Sequence, residues 1–113
     1  MEVRATHRHI GISAQKARLV LEHLPGRTVE DALQILRFFP SPHAREVAKI
    51  VKSAASNAEN NFAMDPDSLY IKRAVADDGR RDKRFRPAAR GRYHPYVRRT
   101  SHVTIVVDER EES

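Results

Sequence analysis

Between Gly79 and Thr100 the chain reads GRRDKRFRPAARGRYHPYVRRT, a stretch with almost no aliphatic residue from which to build a core. It holds nine cations (Arg80, Arg81, Lys83, Arg84, Arg86, Arg90, Arg92, Arg98 and Arg99) against the single acid Asp82. The stretch therefore carries +8 while the whole chain carries +6, which leaves −2 on the other 91 residues. A fold of this chain must hold the stretch outside its packed body, and a polyanion must neutralise it. Eight of the nine cations are Arg, whose planar fork grips phosphate with two hydrogen bonds and stacks on bases. That bias points to nucleic acid; a solvated basic loop is the plainer alternative.

With 113 residues the chain fits a single domain spanning 1–113. The expected division is a body over about 1–78 and 100–108, an extended hairpin over about 79–99 and an acidic tail over 108–113. The absence of Cys excludes disulfides and thiolate metal sites. No apolar run approaches the ~20 residues that cross a bilayer, and MEVRATHRHI contains no hydrophobic signal region. The expectation is an intracellular, soluble protein without membrane attachment.

Hydrophobic spacing organises the body. Residues 2–10 suit a short strand. Ala17, Val20, Leu21 and Leu24 form one apolar stripe and predict a helix over Ser13–Leu24, capped by Ser13 and stopped by Pro25-Gly26. Val29, Ala32, Leu33 and Leu36 predict a second helix from Thr28 to about Phe38, with Asp31 in its first turn where the helix dipole favours an acid. Ser41 and Pro42 predict the start of a third helix, running to Asn60 with Ala44, Val47, Ala48, Val51, Ala55 and Ala58 inward. Leu69, Ile71 and Val75 alternate as in a strand, interrupted by Arg73. Val103, Ile105 and Val107 mark the clearest strand, Thr100–Val107.

The basic stretch lies between these last two strands. Paired antiparallel, they turn it into one long hairpin with a midpoint near Ala89-Arg90, where Gly91 can take the positive φ a hairpin loop needs. Eleven residues per arm at ~3.3 Å each reach roughly 35 Å. Pro87 and Pro95 are tolerated because each strand of a ribbon has a free edge. The expected class is α+β, three helices packed on a small antiparallel sheet with a long protruding β-hairpin.

Phe85, Tyr93 and Tyr96 interleave with the arginines and can stack on unpaired bases or pack across the ribbon. Arg4, Arg8, Lys16 and Arg18, with His7 and His9 beside them, form a second basic cluster that is either a phosphate-binding surface or an ordinary charged face. His7-x-His9 has strand-face spacing, but no third ligand follows, so no metal is expected. Ser53, Asn57 and Asn60 share one helix face and offer hydrogen bonds to a partner such as ribose or phosphate, or to solvent. His23, His43, His94 and His102 sit in no nucleophile or acid–base pattern, and neither catalysis nor a cofactor is expected.

Several segments together resemble one family. They are Ile12-Ser13-Ala14-Gln15-Lys16-Ala17-Arg18-Leu19-Val20, Ser53-Ala54-Ala55-Ser56-Asn57-Ala58-Glu59-Asn60-Asn61, Asp78-Gly79 followed by Lys83-Arg84, Arg90-Gly91-Arg92, and Arg98-Arg99-Thr100-Ser101-His102-Val103-Thr104. In this order the chain resembles the bacterial large-subunit ribosomal protein twenty-two family from about Arg4 to Val107. Two positions depart from its usual pattern: Arg80 follows Gly79 where the family has Pro, and Ala88 follows Pro87 where the family has a basic residue.

The resemblance implies a structural constituent of the large ribosomal subunit, cytoplasmic and ribosome-bound. Its implied partners are large-subunit (23S) rRNA and neighbouring large-subunit proteins, with no small-molecule substrate. It also implies a role in subunit assembly and a hairpin that lines the nascent-peptide exit tunnel. Charge and resemblance together make Arg80, Arg81, Lys83, Arg84, Arg86, Arg90, Arg92, Arg98, Arg99, His102, Arg8, Ser13, Lys16, Arg18, Ser53, Asn57 and Asn60 the candidate rRNA-binding residues. Ala88, Ala89, Arg90, Gly91 and Arg92 would form the tunnel-lining tip, in reach of the nascent peptide. The competing reading is a DNA-bending architectural protein whose basic β-arm enters the minor groove.

Overall fold

A computed structural model describes residues 2–87, 91 and 93–110. The expectations placed on Ala88, Ala89, Arg90 and Arg92, and on the tail beyond Arg110, lie outside the described residues. The strands are β1 (Val3–Ile10), β2 (Leu69–Pro87) and β3 (Tyr93–Glu109); the helices are α1 (Ala14–Leu21), α2 (Val29–Phe38) and α3 (Ala44–Phe62). The sheet is antiparallel in the order β1-β3-β2, so the most β-branched segment occupies the centre. α3 packs over β1 and β3, α1 over β2, and α2 lies against α3. The fold is α+β, with β2 and β3 running on past the helices as a paired ribbon.

The helix stripes predict the core well. Ala17, Val20, Leu21 and Leu24 are all buried. α1 nevertheless ends at Leu21, short of the expected Leu24, because the last turn tightens: His23 N–H donates to Val20 O and Leu24 N–H to Leu21 O before Pro25 and Gly26. Ser13 caps α1 by accepting from Lys16 N–H, and Thr28 caps α2 by accepting from Asp31 N–H. α3 starts two residues later than expected. Ser41 does not cap it; its Oγ instead accepts from His43 N–H in the preceding turn. The helix also runs beyond Asn60-Asn61 to Phe62, where Ala63 turns into the left-handed region (φ 50°). Its buried face is centred on Ile50, Val51 and Ala54, while Ala48 and Ala55 are half-buried on its flank. Deleting a buried leucine such as Leu21 or Leu24 from this cluster would cost about 2–5 kcal/mol.

Two irregularities set the path of β2. Ile71 pairs with Val107 but Arg73 pairs with Val106, so Lys72 is an extra residue opposite one position of β3. The bulge reverses the inward parity: Leu69 and Ile71 face the core before it, and Ala76 after it. Val75, expected inward with Leu69 and Ile71, is therefore exposed. A second shift lies between Asp78↔Ser101 and Arg81↔Arg99, at Gly79-Arg80. The outer edge of β2 is covered in the body by the α1–α2 loop, where Gly26 N–H donates to Ile71 O and Ile71 N–H to Arg27 O, both at 2.8 Å. This closes an edge that would otherwise invite pairing with other chains.

Among the described residues, the ribbon beyond the second shift contributes nothing to the buried core. The molecule measures 68 × 26 × 18 Å with a radius of gyration of 17.2 Å; a compact chain of this length would have about 13 Å. The ladder continues from Arg81↔Arg99 to Pro87↔Tyr93, and Gly91 has φ 73°.

Candidate nucleic-acid interface

Strand alternation distributes the ribbon's charge. Arg81, Lys83 and Phe85 share one face with Arg99, while Arg84 shares the other with Tyr96 and Arg98. All seven are exposed. Cations thus project from both faces, and Arg81 stands directly opposite Arg99. Like charges opposite one another destabilise an isolated ladder, so the pairing gains when an anion lies beside it. Phe85 is 65% exposed, well beyond what cross-strand packing would leave. It is available for stacking on a planar group.

The ribbon meets the body at an open cleft of about 630 Å³ lined by Gly11, Ser13, Gln15, Lys16, Tyr96, Val97, Arg98 and Arg99. Ser13 and Lys16 stand at the start of α1, whose first N–H groups and dipole favour an anion. Four of the predicted residues, Ser13, Lys16, Arg98 and Arg99, therefore converge although they lie over 80 positions apart in the chain. Gly11, Gln15, Tyr96 and Val97 complete the cleft. The first two escaped the sequence reading; the strand–Gly–helix junction is the signal that would have found them.

Arg8 lies elsewhere, in a second cleft of about 530 Å³ with His7, His9, Ile10, Gly11, Ile12, His43 and Glu46. His102 stacks edge-on against His9 (ring centroids 4.8 Å apart), and its Nδ1 accepts from His9 N–H at 3.1 Å. That arrangement matches a break in the β1–β3 register between His7 and Ile10, where His9 takes φ 57°. Among the described residues, no group of three or more His, Asp or Glu side chains is placed to hold a metal.

Two predicted groups stand apart from the clefts. Arg18 turns toward β2, its Nε and Nη2 both donating to Ala76 O at 3.0 and 2.7 Å. On α3, Ser53 and Asn57 are half-buried and Asn60 exposed. Their spacing puts them in the helical row that begins at Glu46, beside β1. Among the described residues no helix is long and apolar enough to cross a membrane.

Residues 5–108 match the family model described as ribosomal protein L22p/L17e. The chain is 48% identical over 109 residues to the large ribosomal subunit protein uL22 of Thermomicrobium roseum, covering 96% of this chain and 92% of that protein. It is 50% identical over 107 residues to the protein of the same name from Dehalococcoides mccartyi (95% and 98% covered). The uL22 of Thermoanaerobacter pseudethanolicus is 51% identical over 111 residues (98% and 100% covered).

Proposed function

The chain belongs to the ribosomal protein L22p/L17e family, and from that premise we propose that this structural constituent of the large ribosomal subunit acts as an electrostatic strut for rRNA. The observation that carries the reading is the ribbon itself: two strands with exposed cations on both faces, extending from a body whose remaining charge is close to neutral. A ribbon with cations on one face would lie on an RNA surface. One with cations on both can be inserted where separate RNA segments converge, screening phosphates that otherwise repel each other. The cleft at its root then takes a further phosphate between the α1 N-terminus and Arg98–Arg99. Contacts of this kind read backbone and shape, as expected for structured RNA.

The finer reading follows the family resemblance. The hairpin tip reaches the nascent-peptide tunnel, the body contacts neighbouring subunit proteins, and the strut assists assembly by fixing RNA segments relative to one another. None of this requires catalysis or a cofactor.

Gradient sedimentation of the tagged protein from lysate, with a high-salt wash, tests the reading. Retention on the large subunit after the wash is the expected result for an inserted ribbon. Release of the wild-type protein into light fractions would overturn it. Competition between structured rRNA and duplex DNA for the purified protein separates the strut from a DNA-bending arm, with preference for rRNA expected.

A further inference from the structure

We propose that Arg18 is a positioning residue of the ribbon: its guanidinium sets the direction in which β2 and β3 leave the body, and it does not serve as a ligand of RNA. The inference rests on the ribbon being the RNA-binding element.

Arg18 lies on the exposed side of α1, off the buried stripe, where a charged residue ordinarily meets solvent. Both Nε and Nη2 nevertheless converge on one acceptor, Ala76 O, in a part-buried setting. Ala76 is the last buried residue of β2 before the ribbon; Asp77 and Asp78 are exposed, and the second register shift follows. β2 is an edge strand, and the backbone of the α1–α2 loop reaches it only around Tyr70 and Ile71. The fork of Arg18 supplies a second attachment of that edge, five residues further along. Without it, among the described residues, the main chain of β2 beyond Ile71 would be hydrogen-bonded to β3 alone.

The attachment works with the features that follow it. Thr100 Oγ1 donates to Arg80 O at 2.8 Å, which fixes the second shift. The root is thereby tied to α1 on one side and locked across the ladder on the other. Leverage makes this consequential. From Ala76 the strand runs roughly 35 Å to Pro87, so a 10° change at the root moves the far end by about 6 Å. A strut that must meet RNA on two faces loses affinity when its direction is undefined, because that freedom is lost on binding.

The identity of the residue fits the role. A planar guanidinium places two donors on one carbonyl in a fixed geometry, and a lysine ammonium on a flexible stem does not.

The chain has no cysteine, so spin labels can be attached at Glu59→Cys on α3 and Lys83→Cys on the ribbon without further changes. Electron–electron distance distributions of the full chain, free of RNA, are compared among the labelled parent, Arg18→Lys and Arg18→Ala. The expected result is a distribution at least half as broad again in both variants, including the charge-preserving one, with the thermal midpoint little changed. Without the labels, both Arg18 variants should bind large-subunit rRNA several-fold more weakly than the wild-type chain, with an unchanged salt slope. An unaltered distribution in Arg18→Ala overturns the proposal, whatever happens to binding. If, in addition, the salt slope falls by about one counterion, Arg18 is a phosphate ligand. Failure of the unlabelled wild-type protein to bind rRNA would count against the strut and leave the distance result readable on its own. Should Arg18→Ala fail to fold, Arg18→Lys carries the test, and an unaltered distribution there overturns it equally.

Discussion

Gly79 approaches Thr100 so closely that a β-carbon built on it would lie 2.7 Å from Thr100 Oγ1 and 3.2 Å from the Thr100 carbonyl carbon and oxygen. The same hydroxyl donates to Arg80 O, so the side chain that excludes a β-carbon also fastens the shift in register. Replacing Gly79 by Ala should destabilise the protein by roughly 1–3 kcal/mol through overpacking. Thermal unfolding measures it. Adding Thr100→Ala to Gly79→Ala should recover part of the stability and no more, because the backbone of Thr100 remains in place. A neutral Gly79→Ala would mean that the two strands are not so tightly apposed.

The strut reading makes the ribbon's charge the main source of salt-dependent binding. Arg81→Ala combined with Arg84→Ala should reduce the slope of log affinity against log salt by about 0.7–0.9 for each phosphate that is no longer neutralised. Arg45→Ala combined with Lys52→Ala, both exposed on α3 beside α2, removes the same charge from the body. That control should change the slope much less. Equal slopes for the two double variants, measured by titration with large-subunit rRNA, would refute the ribbon as the anchor.

Lys72, the extra residue of the first bulge, reaches across the sheet to Glu2 at the start of β1, and Arg73 approaches the same carboxylate at 3.7 Å. The hydrogen bond from Lys72 and its charge hold the Glu2 carboxyl below its ordinary 4.5. Reciprocally, they raise Lys72 above 10.5. The Glu2 contribution is present above its unfolded value and is lost as pH falls through the depressed folded one; the Lys72 contribution is present below 10.5 and is lost as pH rises through the raised value. Glu2→Gln should therefore lower the thermal midpoint slightly near neutral pH, have no effect in strong acid, and have a smaller effect in strong base, where Arg73 alone still faces the carboxylate. The pair is exposed, so high salt should shrink the difference further. A difference that persists in strong acid would rule out this pair as its source.

Ser101 is fully buried, and among the described residues its Oγ has no hydrogen-bond partner. An unpaired buried hydroxyl costs about 1–3 kcal/mol. Ser101→Ala should accordingly stabilise the protein by on the order of 1 kcal/mol, a rise of several degrees in the unfolding midpoint for a chain of this size. A fall instead would show that the hydroxyl makes a bond it must keep.

Much of the body is a local matter, and the sequence by itself determined it. The stripes Ala17–Leu24 and Val29–Leu36 and the caps Ser13 and Thr28 act over three or four residues. The alternation Val103–Ile105–Val107 acts over two, so each is legible without knowledge of the partner. The extruded ribbon was equally legible, because its cause is composition: nine cations and few aliphatic side chains leave nothing to bury. The positive φ expected of Gly91 was legible too, since few other residues adopt it readily.

The tertiary structure alone decided the rest. Val75 is exposed because Lys72 bulges, and that bulge depends on which residues of β3 stand opposite. Lys16 meets Arg98 and Arg99 at a cleft that exists only once α1 lies over β2. Arg18 looked like one more surface cation until Ala76 O came within reach of its fork. Register, strand crossings and the target of a long side chain are fixed by contacts between segments far apart in the chain. The energies of those contacts are absent from any short window of residues.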